Sequence, residues 1–566
     1  MHLYEGLARK LRQNGVEGVF GLMGDDTAKL ILRIQDSGIA YYSVRHENQA
    51  VAMADAYSRT TGKLGVVVLT GGPGFCNALT AINCASRASS KVLVLVGSGP
   101  VAEDDPSRSV LRQRLKYFPH VEVSKVAGIH AHRLTAASTA LAEAQESIAW
   151  ARSLGTAVLA LPVDVLEEEL LNLDGMDASV DAQATRPEEP ESDTISMVAD
   201  LLEETWAASR PLIFAGRGAS QSGARLPLQR LGEITGALLS TTLPASGMFH
   251  GDSFDLGVCG TYSTSLGSEL IGQADVVLAF GASLNALTTY GNGLFPKATV
   301  VHVDTDLEAI GRYVEVEPEL SVRADARLAG EALIAELTRR KHSNTGFRTL
   351  EVAERLAKFD QLNEVNDVAV SGLIDSRRLM IQLDRILPSD RILAVDGGHH
   401  GSFSIRYIRV SSPENFVHPI DSGSIGLAVG AGIGAAIGRP ESTVVVGIGD
   451  AGFMMSVGEV ETAVRYRLPL VIVVCNDEAL GAEMHYLDLV GESSDVARIP
   501  TPSLADVARA LGANAITVRS VEDLVGLREQ LGPGSSGPLV LDCRIDPAVR
   551  GDWLDFVFGQ SGDPVA

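Results

Sequence analysis

Short runs of apolar, β-branched residues alternate with longer helical patterns along the whole chain. Strands this apolar are buried on both faces, and strands that alternate with helices form parallel sheets covered by helices. The sequence therefore predicts an α/β fold with parallel sheets flanked by helices. The clearest strands are GVVVLT (65–70), KVLVLVG (91–97), PLIFAG (211–216), ADVVLAFG (274–281), TVVHVD (299–304), RILAVDGG (391–398), TVVVGIGD (443–450) and LVIVVCND (470–477).

Two polar segments divide these strands into three blocks. The chain has 566 residues, which is too long for one ordinary hydrophobic core. An acidic, proline-bearing segment at 174–193 and a polar segment at 341–347 interrupt the periodic pattern. We therefore expect an N-terminal domain over 1–173, a central domain over 194–340, a C-terminal domain over 360–546 and a tail over 547–566. The tail carries three aromatic residues among polar ones, and it could be a lid or a docked terminus.

The charge balance excludes several classes of partner. Asp+Glu number 71 and Lys+Arg 47, so the net charge is −24 and the field repels nucleic acid and anionic membranes. No apolar run approaches the roughly 18 residues of a membrane span. Residues 1–16 predict an amphipathic helix and not a signal peptide, because charges interrupt any candidate apolar core. The five cysteines have no metal-binding spacing, as expected of buried cytosolic thiols. We expect a cytoplasmic protein without nucleic-acid or membrane partners.

Glycine is over-represented, with 57 occurrences, and many glycines follow a predicted strand. Ligands bind at that edge of an open parallel sheet, where the lack of a Cβ lets backbone N–H groups approach a phosphate. Tight-turn chemistry is the alternative at each single position. The glycines concerned lie in Gly71-Gly72-Pro73-Gly74, Gly97-Ser98-Gly99-Pro100, Gly397-Gly398 and Gly447-Ile448-Gly449, and at Gly281 and Gly481.

Two aspartates follow neighbouring strands of the C-terminal block. Asp450 and Asp477 are 27 positions apart (477 − 450), with a predicted helix between the strands from about Ser456 to Tyr466. A right-handed crossover places both carboxylates on the same edge of adjacent strands. Oxygen ligands so placed suit Mg²⁺, although helix capping would also explain them.

A glutamate begins the helical stripe formed by Ala50, Met53, Ala54 and Tyr57. Glu47 lies in the first turn of this predicted helix, where a carboxylate often serves only as a partner of the helix dipole. In such small, apolar surroundings it could also share a proton with a ring nitrogen of a ligand. Both interpretations stay open on the residues alone.

Several motifs in order resemble the thiamine-diphosphate-dependent enzymes of the acetolactate synthase, pyruvate oxidase and pyruvate decarboxylase superfamily, and most of all acetolactate synthase large subunits. The resemblance implies a pyrimidine-binding, a central and a diphosphate-binding domain, in a homodimer or homotetramer whose active sites span two subunits. The motifs are Arg45-His46-Glu47, Thr70-Gly71-Gly72-Pro73-Gly74, Asp396-Gly397-Gly398, Gly423-Ser424-Ile425-Gly426, Gly449-Asp450 and Asn476-Asp477.

The resemblance also implies roles for individual residues. Glu47 matches the glutamate that holds a proton at the cofactor's aminopyrimidine, and Ile425 the side chain that bends the cofactor into a V. Asp450, Asp477 and the carbonyl of Ala479 match the Mg²⁺ ligands. The residues expected to border thiamine diphosphate are Gly72, Pro73, Gly398, His399, His400, Gly423, Ser424, Ile425, Gly449, Asp450, Ala451, Gly452 and Asp477.

The chain departs from the family pattern at two positions. Ala451 replaces the last glycine of Gly-Asp-Gly, and Asp477 replaces the second asparagine of Asn-Asn. An aspartate there adds negative charge beside the diphosphate. We therefore expect cofactor binding to depend unusually strongly on a divalent cation.

The motifs separate the reactions of this superfamily only partly. Asp25 matches a proton-relay aspartate of the decarboxylases and Glu483 their active-site glutamate, but their paired histidines have no counterpart in residues 103–118. His399 and His400 instead match the polar pair that borders the diphosphate in acetolactate synthase, although they could be surface turn residues. The expected reaction is decarboxylation of a pyruvate-like 2-oxo acid with carboligation to an aldehyde or ketone.

A flavin is possible but not favoured. The arginine that helps to hold FAD in acetolactate synthases is missing after Gly281, and Gly216-Arg217-Gly218 with Asp304 is only a weak dinucleotide signal. A flavin-dependent oxidase and a 2-hydroxyacyl-CoA lyase remain the alternative activities. A non-catalytic nucleotide-binding homologue is a third alternative, against which the intact Glu47, Ile425 and Asp450 argue.

Overall fold

A computed structural model describes residues 1–101, 115–170, 187–204, 210–291, 293–311, 316–365, 372–532, 534–535 and 537–558. Three six-stranded sheets organise these residues, and every strand pair within them is parallel. Their strand orders are β2-β1-β3-β4-β6-β5, β12-β11-β10-β7-β8-β9 and β14-β13-β15-β16-β18-β17. The predicted α/β fold with parallel sheets is confirmed.

The strands are as follows. The first sheet contains β1 (Gly18–Leu22), β2 (Ala40–Ser43), β3 (Gly65–Leu69), β4 (Val92–Ser98), β5 (His130–Arg133) and β6 (Ala157–Pro162). The second contains β7 (Pro211–Ala215), β8 (Leu238–Thr241), β9 (Asp255–Val258), β10 (Val276–Phe280), β11 (Thr299–Asp304) and β12 (Leu320–Arg323). The third contains β13 (Arg391–Val395), β14 (Phe416–Val417), β15 (Thr443–Gly449), β16 (Leu470–Asn476), β17 (Asn514–Val518) and β18 (Leu539–Arg544).

Helices make the crossovers that parallel strands require. The helices around the first sheet span Leu3–Gln13, Ala28–Asp36, Glu47–Thr61, Pro73–Arg87, His120–Val126, Ala137–Ser153 and Val163–Leu166. Around the second they span Ser192–Glu204, Arg217–Gln221, Arg225–Thr235, Ser265–Ile271, Ala286–Thr289, Ala326–Arg339 and Leu350–Lys358. Around the third they span Ser376–Ile386, Gly401–Tyr407, Ala428–Gly438, Asp450–Ser456, Gly458–Arg465, Gly481–Leu489, Leu504–Ala510 and Asp552–Phe558.

The apolar strands are buried on both faces, as the sequence indicates. In β4, Val92, Val94 and Val96 join one hydrophobic cluster. Leu93 and Leu95 join a different cluster on the other side of the sheet. Alternate side chains of one strand thus support two layers of helices, which is why the strand sequence is continuously apolar.

One hydrophobic core joins the first and third sheets. It contains side chains from Phe20 to Val540, and its centre is the pair of helices Glu47–Thr61 and Ala428–Gly438. Gly434 lets these helices touch, because a Cβ at that position would overlap the backbone of Met53. The small residues of the second helix therefore serve close helix packing.

Some local predictions shift. The predicted amphipathic N-terminal helix is present at Leu3–Gln13, and the helix expected over 456–466 is present as Gly458–Arg465. A further helix that the sequence did not predict, Asp450–Ser456, precedes it. The expectation of buried thiols is wrong for Cys76, which is exposed on the helix Pro73–Arg87. Among helices of the described residues, none has the length and hydrophobicity needed to cross a bilayer.

The described part of the tail is a docked helix. Phe558 packs on Tyr486, with ring centroids 5.0 Å apart, and Phe556 packs on Tyr290 at 4.6 Å. The helix Asp552–Phe558 therefore joins the third sheet's domain to the central one. Residues 559–566, the rest of the predicted tail, lie outside the described residues.

Candidate active site

Asp450 and Asp477 lie side by side at one sheet edge. Strands β15 and β16 pair in parallel with Gly449 beside Cys475, so the next residues of the two strands emerge together. Asp450 is 3% exposed and Asp477 9%. Burial, and then the charge of Asp477, raises the pKa of Asp450 to about 7, and burial raises the pKa of Asp477 to about 6. A cation between them would remove much of the cost of keeping both ionised.

The oxygen atoms around this pair suit a hard cation. Asp477 Oδ1 accepts a hydrogen bond from Ala479 N at 3.2 Å, while Asp477 Oδ2 is buried without a hydrogen-bond partner in the described residues. Ala479 is also buried, at 4% exposed. The described residues contain no group of three or more His, Cys, Asp or Glu side chains that could hold a metal ion. Two carboxylates and a carbonyl leave room for phosphate oxygens, as Mg²⁺ sites commonly do.

His399 and His400 are buried rather than surface turn residues, with 3% and 6% exposure. The ring of His400 lies against the sheet edge, since a Cβ on Gly449 would come 2.8 Å from its Cδ2 atom. Burial lowers the pKa of His400 to about 4 and that of His399 well below its usual value. Both imidazoles are therefore neutral at pH 7 and can donate a hydrogen bond without adding charge.

Asp396 organises the loop that carries Gly423 and Ile425, a role that the sequence analysis missed. Its fully buried carboxylate accepts hydrogen bonds from the backbone N–H groups of Gly426 at 2.6 Å, Leu427 at 3.0 Å and Ala428 at 3.2 Å. These groups precede or begin the helix Ala428–Gly438, so the aspartate caps it. The motif Asp396-Gly397-Gly398 was the available signal.

The loop itself presents its residues to open space. Gly423 has φ +75°, and a Cβ there would meet no atom within 4 Å. Ile425 is partly exposed, and its Cγ2 atom would lie 3.0 Å from a Cβ on Gly397. A partly exposed isoleucine held beside Gly397, just past the end of β13, is suited to support a ligand. Ser424 Oγ lies 3.2 Å from the sulfur of Cys84 in the first domain.

Asp421 joins all three domains next to this loop. It accepts hydrogen bonds at 3.1 Å from Arg59 of the first domain and at 3.1 Å from Arg217 of the central domain. Arg59 also binds Asp55 through two hydrogen bonds, at 2.8 and 2.9 Å. This junction fixes the start of the loop from two sides. Sequence spacing gave no signal for it.

Glu47 begins its helix with a largely buried carboxyl, 7% exposed. Asn77 Nδ2 donates to Glu47 Oε2 at 3.0 Å, and Gly74 leaves room beside Oε1. Gln49, in the first turn of the helix, donates to the carbonyl of Gly426 at 2.6 Å and accepts from Gly430 N at 3.1 Å. The helix that carries Glu47 is thus fixed to the loop that Asp396 holds. Gln49 shares a helix face with the apolar residues Ala52, Met53 and Ala56, which was a usable signal.

The Gly72–Pro73 turn is held by a neutral histidine. Gly72 has φ +59°, and its N–H donates to His120 Nε2 at 3.0 Å. Burial lowers the pKa of His120 to about 4, which keeps the ring an acceptor at neutral pH. Asp25 forms an ion pair with Lys116 nearby, and Lys116 also donates to Thr70 Oγ1 at 3.2 Å.

The remaining predicted residues are more dispersed. Glu483 is exposed in the first turn of the helix Gly481–Leu489, in the third domain, whereas Asp25 pairs with Lys116 in the first domain. Ala451 and Gly452 follow Asp450 in its helix, and a Cβ on Gly452 would overlap the carboxylate of Asp396. Of residues 103–118, the described structure includes only 115–118.

The glycines of the central domain serve packing. The N–H of Gly216 donates to Phe280 O at 2.8 Å, and the N–H of Gly218 donates to Gly281 O at 3.1 Å. Those two donors are therefore engaged and do not face a phosphate. A cleft of about 790 Å³ lies where the three domains meet, and Arg59, Arg217 and Asp421 are among its lining residues.

Comparison with known proteins agrees with this architecture. Residues 1–127 match the N-terminal TPP binding domain of thiamine pyrophosphate enzymes, residues 196–333 their central domain and residues 396–543 their C-terminal TPP binding domain. The chain belongs to the thiamine pyrophosphate (thiamine diphosphate) enzyme family. It is a thiamine-diphosphate-dependent enzyme similar to acetolactate synthase large subunits.

Three relatives illustrate the similarity. A probable acetolactate synthase large subunit of Methanocaldococcus jannaschii is 26% identical over 96% of this chain and 92% of its own. The acetolactate synthase isozyme 3 large subunit of Escherichia coli is 26% identical over 97% of each chain. A sulfoacetaldehyde acetyltransferase of Castellaniella defragrans is 27% identical over 92% of this chain and 88% of its own.

Proposed function

We propose that the protein decarboxylates a pyruvate-like 2-oxo acid with thiamine diphosphate and Mg²⁺ and joins the acyl unit to a second carbonyl compound, an aldehyde or ketone. The observation that carries the proposal is the buried pair Asp450 and Asp477 at adjacent strand ends. The similarity to acetolactate synthase large subunits supports the carboligation step.

Asp450, Asp477 and the carbonyl of Ala479 would hold the Mg²⁺. The raised pKa values of the two carboxyls reflect the cost of placing two negative charges in a buried site, and a divalent cation offsets that cost. His400, as a neutral donor beside Gly449, would bind an oxygen of the diphosphate. The negative charge of the chain as a whole makes this local cation essential for holding an anionic cofactor.

Glu47 would hold a proton at the pyrimidine ring. Thiamine diphosphate, when bound, supplies a carbon nucleophile that adds to a carbonyl and accepts the charge left by decarboxylation. Asn77 orients the carboxyl of Glu47 through a 3.0 Å hydrogen bond. Gly423 would accept a hydrogen bond through its carbonyl, and Ile425 would hold the bound conformation from one side. Asp25 and Glu483 would relay protons to the reacting substrate.

Two copies of the chain would complete each site, in a homodimer or homotetramer. Met454 and Met455, in the helix that begins at Asp450, are 41% and 64% exposed. A second copy that covered them would bury apolar surface and exclude water from the reacting atoms.

The domain boundaries that accompany this proposal are 1–173, 194–340 and 360–546.

A second candidate is acyl transfer from a sulfonated aldehyde to a nucleophilic acceptor, in which the carbon–sulfur bond breaks and sulfite leaves. The similarity to a sulfoacetaldehyde acetyltransferase favours it over a flavin-dependent oxidase and over a 2-hydroxyacyl-CoA lyase. The oxidase is less well supported, because the N–H groups of Gly216 and Gly218 are already bonded within the central domain. Protein that is purified yellow, with flavin absorption, would reverse that preference.

The test combines a substrate panel with one variant. Wild-type protein with added thiamine diphosphate and Mg²⁺ is incubated with 2-oxo acids, aldehydes and sulfoacetaldehyde, and the products are identified by mass spectrometry. Glu47→Gln should abolish turnover while thiamine diphosphate affinity changes by about twofold or less, because the diphosphate contacts are unaltered. The control Glu122→Gln, at an exposed helical position, should retain full activity. Near-normal turnover by Glu47→Gln would refute the proposed mechanism.

A further inference from the structure

The carboxylate of Asp477 faces a buried imidazole. His399 Nε2 lies 3.5 Å from Asp477 Oδ2, and each side chain is 3% exposed. Both atoms are buried without a hydrogen-bond partner among the described residues. A donor-capable nitrogen and an acceptor oxygen thus lie next to each other, and a small rotation of either side chain would form a hydrogen bond between them.

Neighbouring groups confine both partners. The other carboxylate oxygen, Asp477 Oδ1, already accepts from Ala479 N at 3.2 Å. The ring of His399 packs edge-on against Phe403 at 6.1 Å and His485 at 5.1 Å. Gly481 makes room for the pair, because a Cβ there would overlap the His399 ring and lie 2.6 Å from Asp477 Oδ2. The two side chains therefore have little freedom other than to approach each other.

Because residue 477 is an aspartate, its second carboxylate oxygen needs a hydrogen-bond donor or a cation. An asparagine, which the family pattern has here, would be uncharged and would bring its own N–H donors. An aspartate has only acceptor oxygens, and a buried carboxylate is costly unless donors or a cation satisfy both oxygens. His399 supplies a neutral donor at the oxygen that the Ala479 backbone leaves free.

We propose that His399 is a positioning residue for the cation, donating its Nε2–H to Asp477 Oδ2 and fixing the carboxylate orientation beside Asp450. This inference rests on the proposed function, because it takes Asp477 as a Mg²⁺ ligand. Hydrogen-bonded partners of metal ligands typically change metal affinity by about 10- to 100-fold when they are removed. His399 therefore sets how tightly this aspartate-bearing site holds its cation.

Mn²⁺ binding tests the inference without turnover. The full-length protein with thiamine diphosphate and no substrate is titrated with Mn²⁺, and free Mn²⁺ is measured by electron paramagnetic resonance. His399→Met removes the donor at similar volume and should weaken Mn²⁺ binding by about 10-fold or more. His399→Gln keeps an N–H donor and should stay within about threefold of wild type. The control His250→Met replaces an exposed histidine of the central domain and should change the affinity by less than about twofold.

A double-variant cycle separates positioning from general damage. In the Asp477→Asn background, His399→Met should add less than about a twofold effect, because the carboxylate that it orients is gone. The inference is overturned if His399→Met leaves Mn²⁺ affinity unchanged, or if it weakens binding equally in both backgrounds. If His399→Met fails to fold by circular dichroism, His399→Asn, whose shorter amide falls short of Asp477, replaces it with the same expected loss.

One further variant distinguishes this inference from the proposed function. Asp450→Asn should weaken Mn²⁺ binding strongly whether or not His399 contributes. Unchanged binding in Asp450→Asn would refute the cation site itself, whereas weakened binding in Asp450→Asn with no effect of His399→Met overturns only the role of His399.

Discussion

Acidification should destabilise the protein through His120 by a predictable amount. Its ring is 4% exposed and accepts the N–H of Gly72, and burial lowers its pKa from 6.5 to about 4. Because the folded-state pKa lies below the unfolded one, the unfolded chain takes up the proton first as pH falls. The stabilising contribution is therefore present at pH 7 and is lost between about pH 6.5 and pH 4.

The magnitude follows from the same two pKa values. The full difference corresponds to about 3 kcal/mol, and the loss between pH 7 and pH 5 to about 2 kcal/mol. His120→Gln removes the titration but keeps an oxygen that can accept from Gly72. The free energy of unfolding, measured by urea titration, should fall about 2 kcal/mol further in wild type than in the variant between pH 7 and pH 5. Other buried histidines are present in both proteins and cancel in this comparison.

The reasoning would be refuted if both proteins lost the same free energy between the two pH values. A larger loss in His120→Gln would also refute it, because the variant has one titrating group fewer.

Three further outcomes follow from the site and its surroundings. Removal of divalent cations with EDTA should weaken thiamine diphosphate binding by about tenfold or more in calorimetry, because Asp477 adds charge beside the diphosphate; equal affinity would contradict this. Asp421→Asn weakens the bonds from Arg59 and Arg217 and should lower the free energy of unfolding by about 2 kcal/mol; no change would mean that the junction is not stabilising. Gly72→Ala should lower the thermal stability more than Gly62→Ala. Both glycines have positive φ, but only a Cβ at position 72 would overlap a neighbouring backbone. Equal losses of stability would contradict the close approach of that backbone to Gly72.

Local sequence patterns were enough to predict much of the fold and part of the candidate site. Period and residue type located the strands, and the handedness of crossovers placed Asp450 beside Asp477 from the sequence alone. The start of the helix at Asp450 was missed, because the residues that follow it, Ala451-Gly452-Phe453, have no clear apolar period.

Contacts between distant segments were beyond the reach of one sequence. Gln49 meets Gly426 across 377 positions, and Arg59 meets Asp421 across 362. No spacing rule joins residues so far apart, since the docking of whole domains decides which of them meet. The strand-end glycines show the same limit: Gly481 makes room for the side chains of His399 and Asp477, which local turn chemistry could not reveal.

The core shared by the first and third sheets can form only after the later of its two central helices has been synthesised. The helix Glu47–Thr61 packs against Ala428–Gly438, and at roughly 5–20 residues per second its partner follows tens of seconds later on the ribosome. During that interval the nascent first domain exposes the apolar face that will receive the partner helix. We expect chaperones to bind this face co-translationally, and folding yield to fall when translation slows between the two helices.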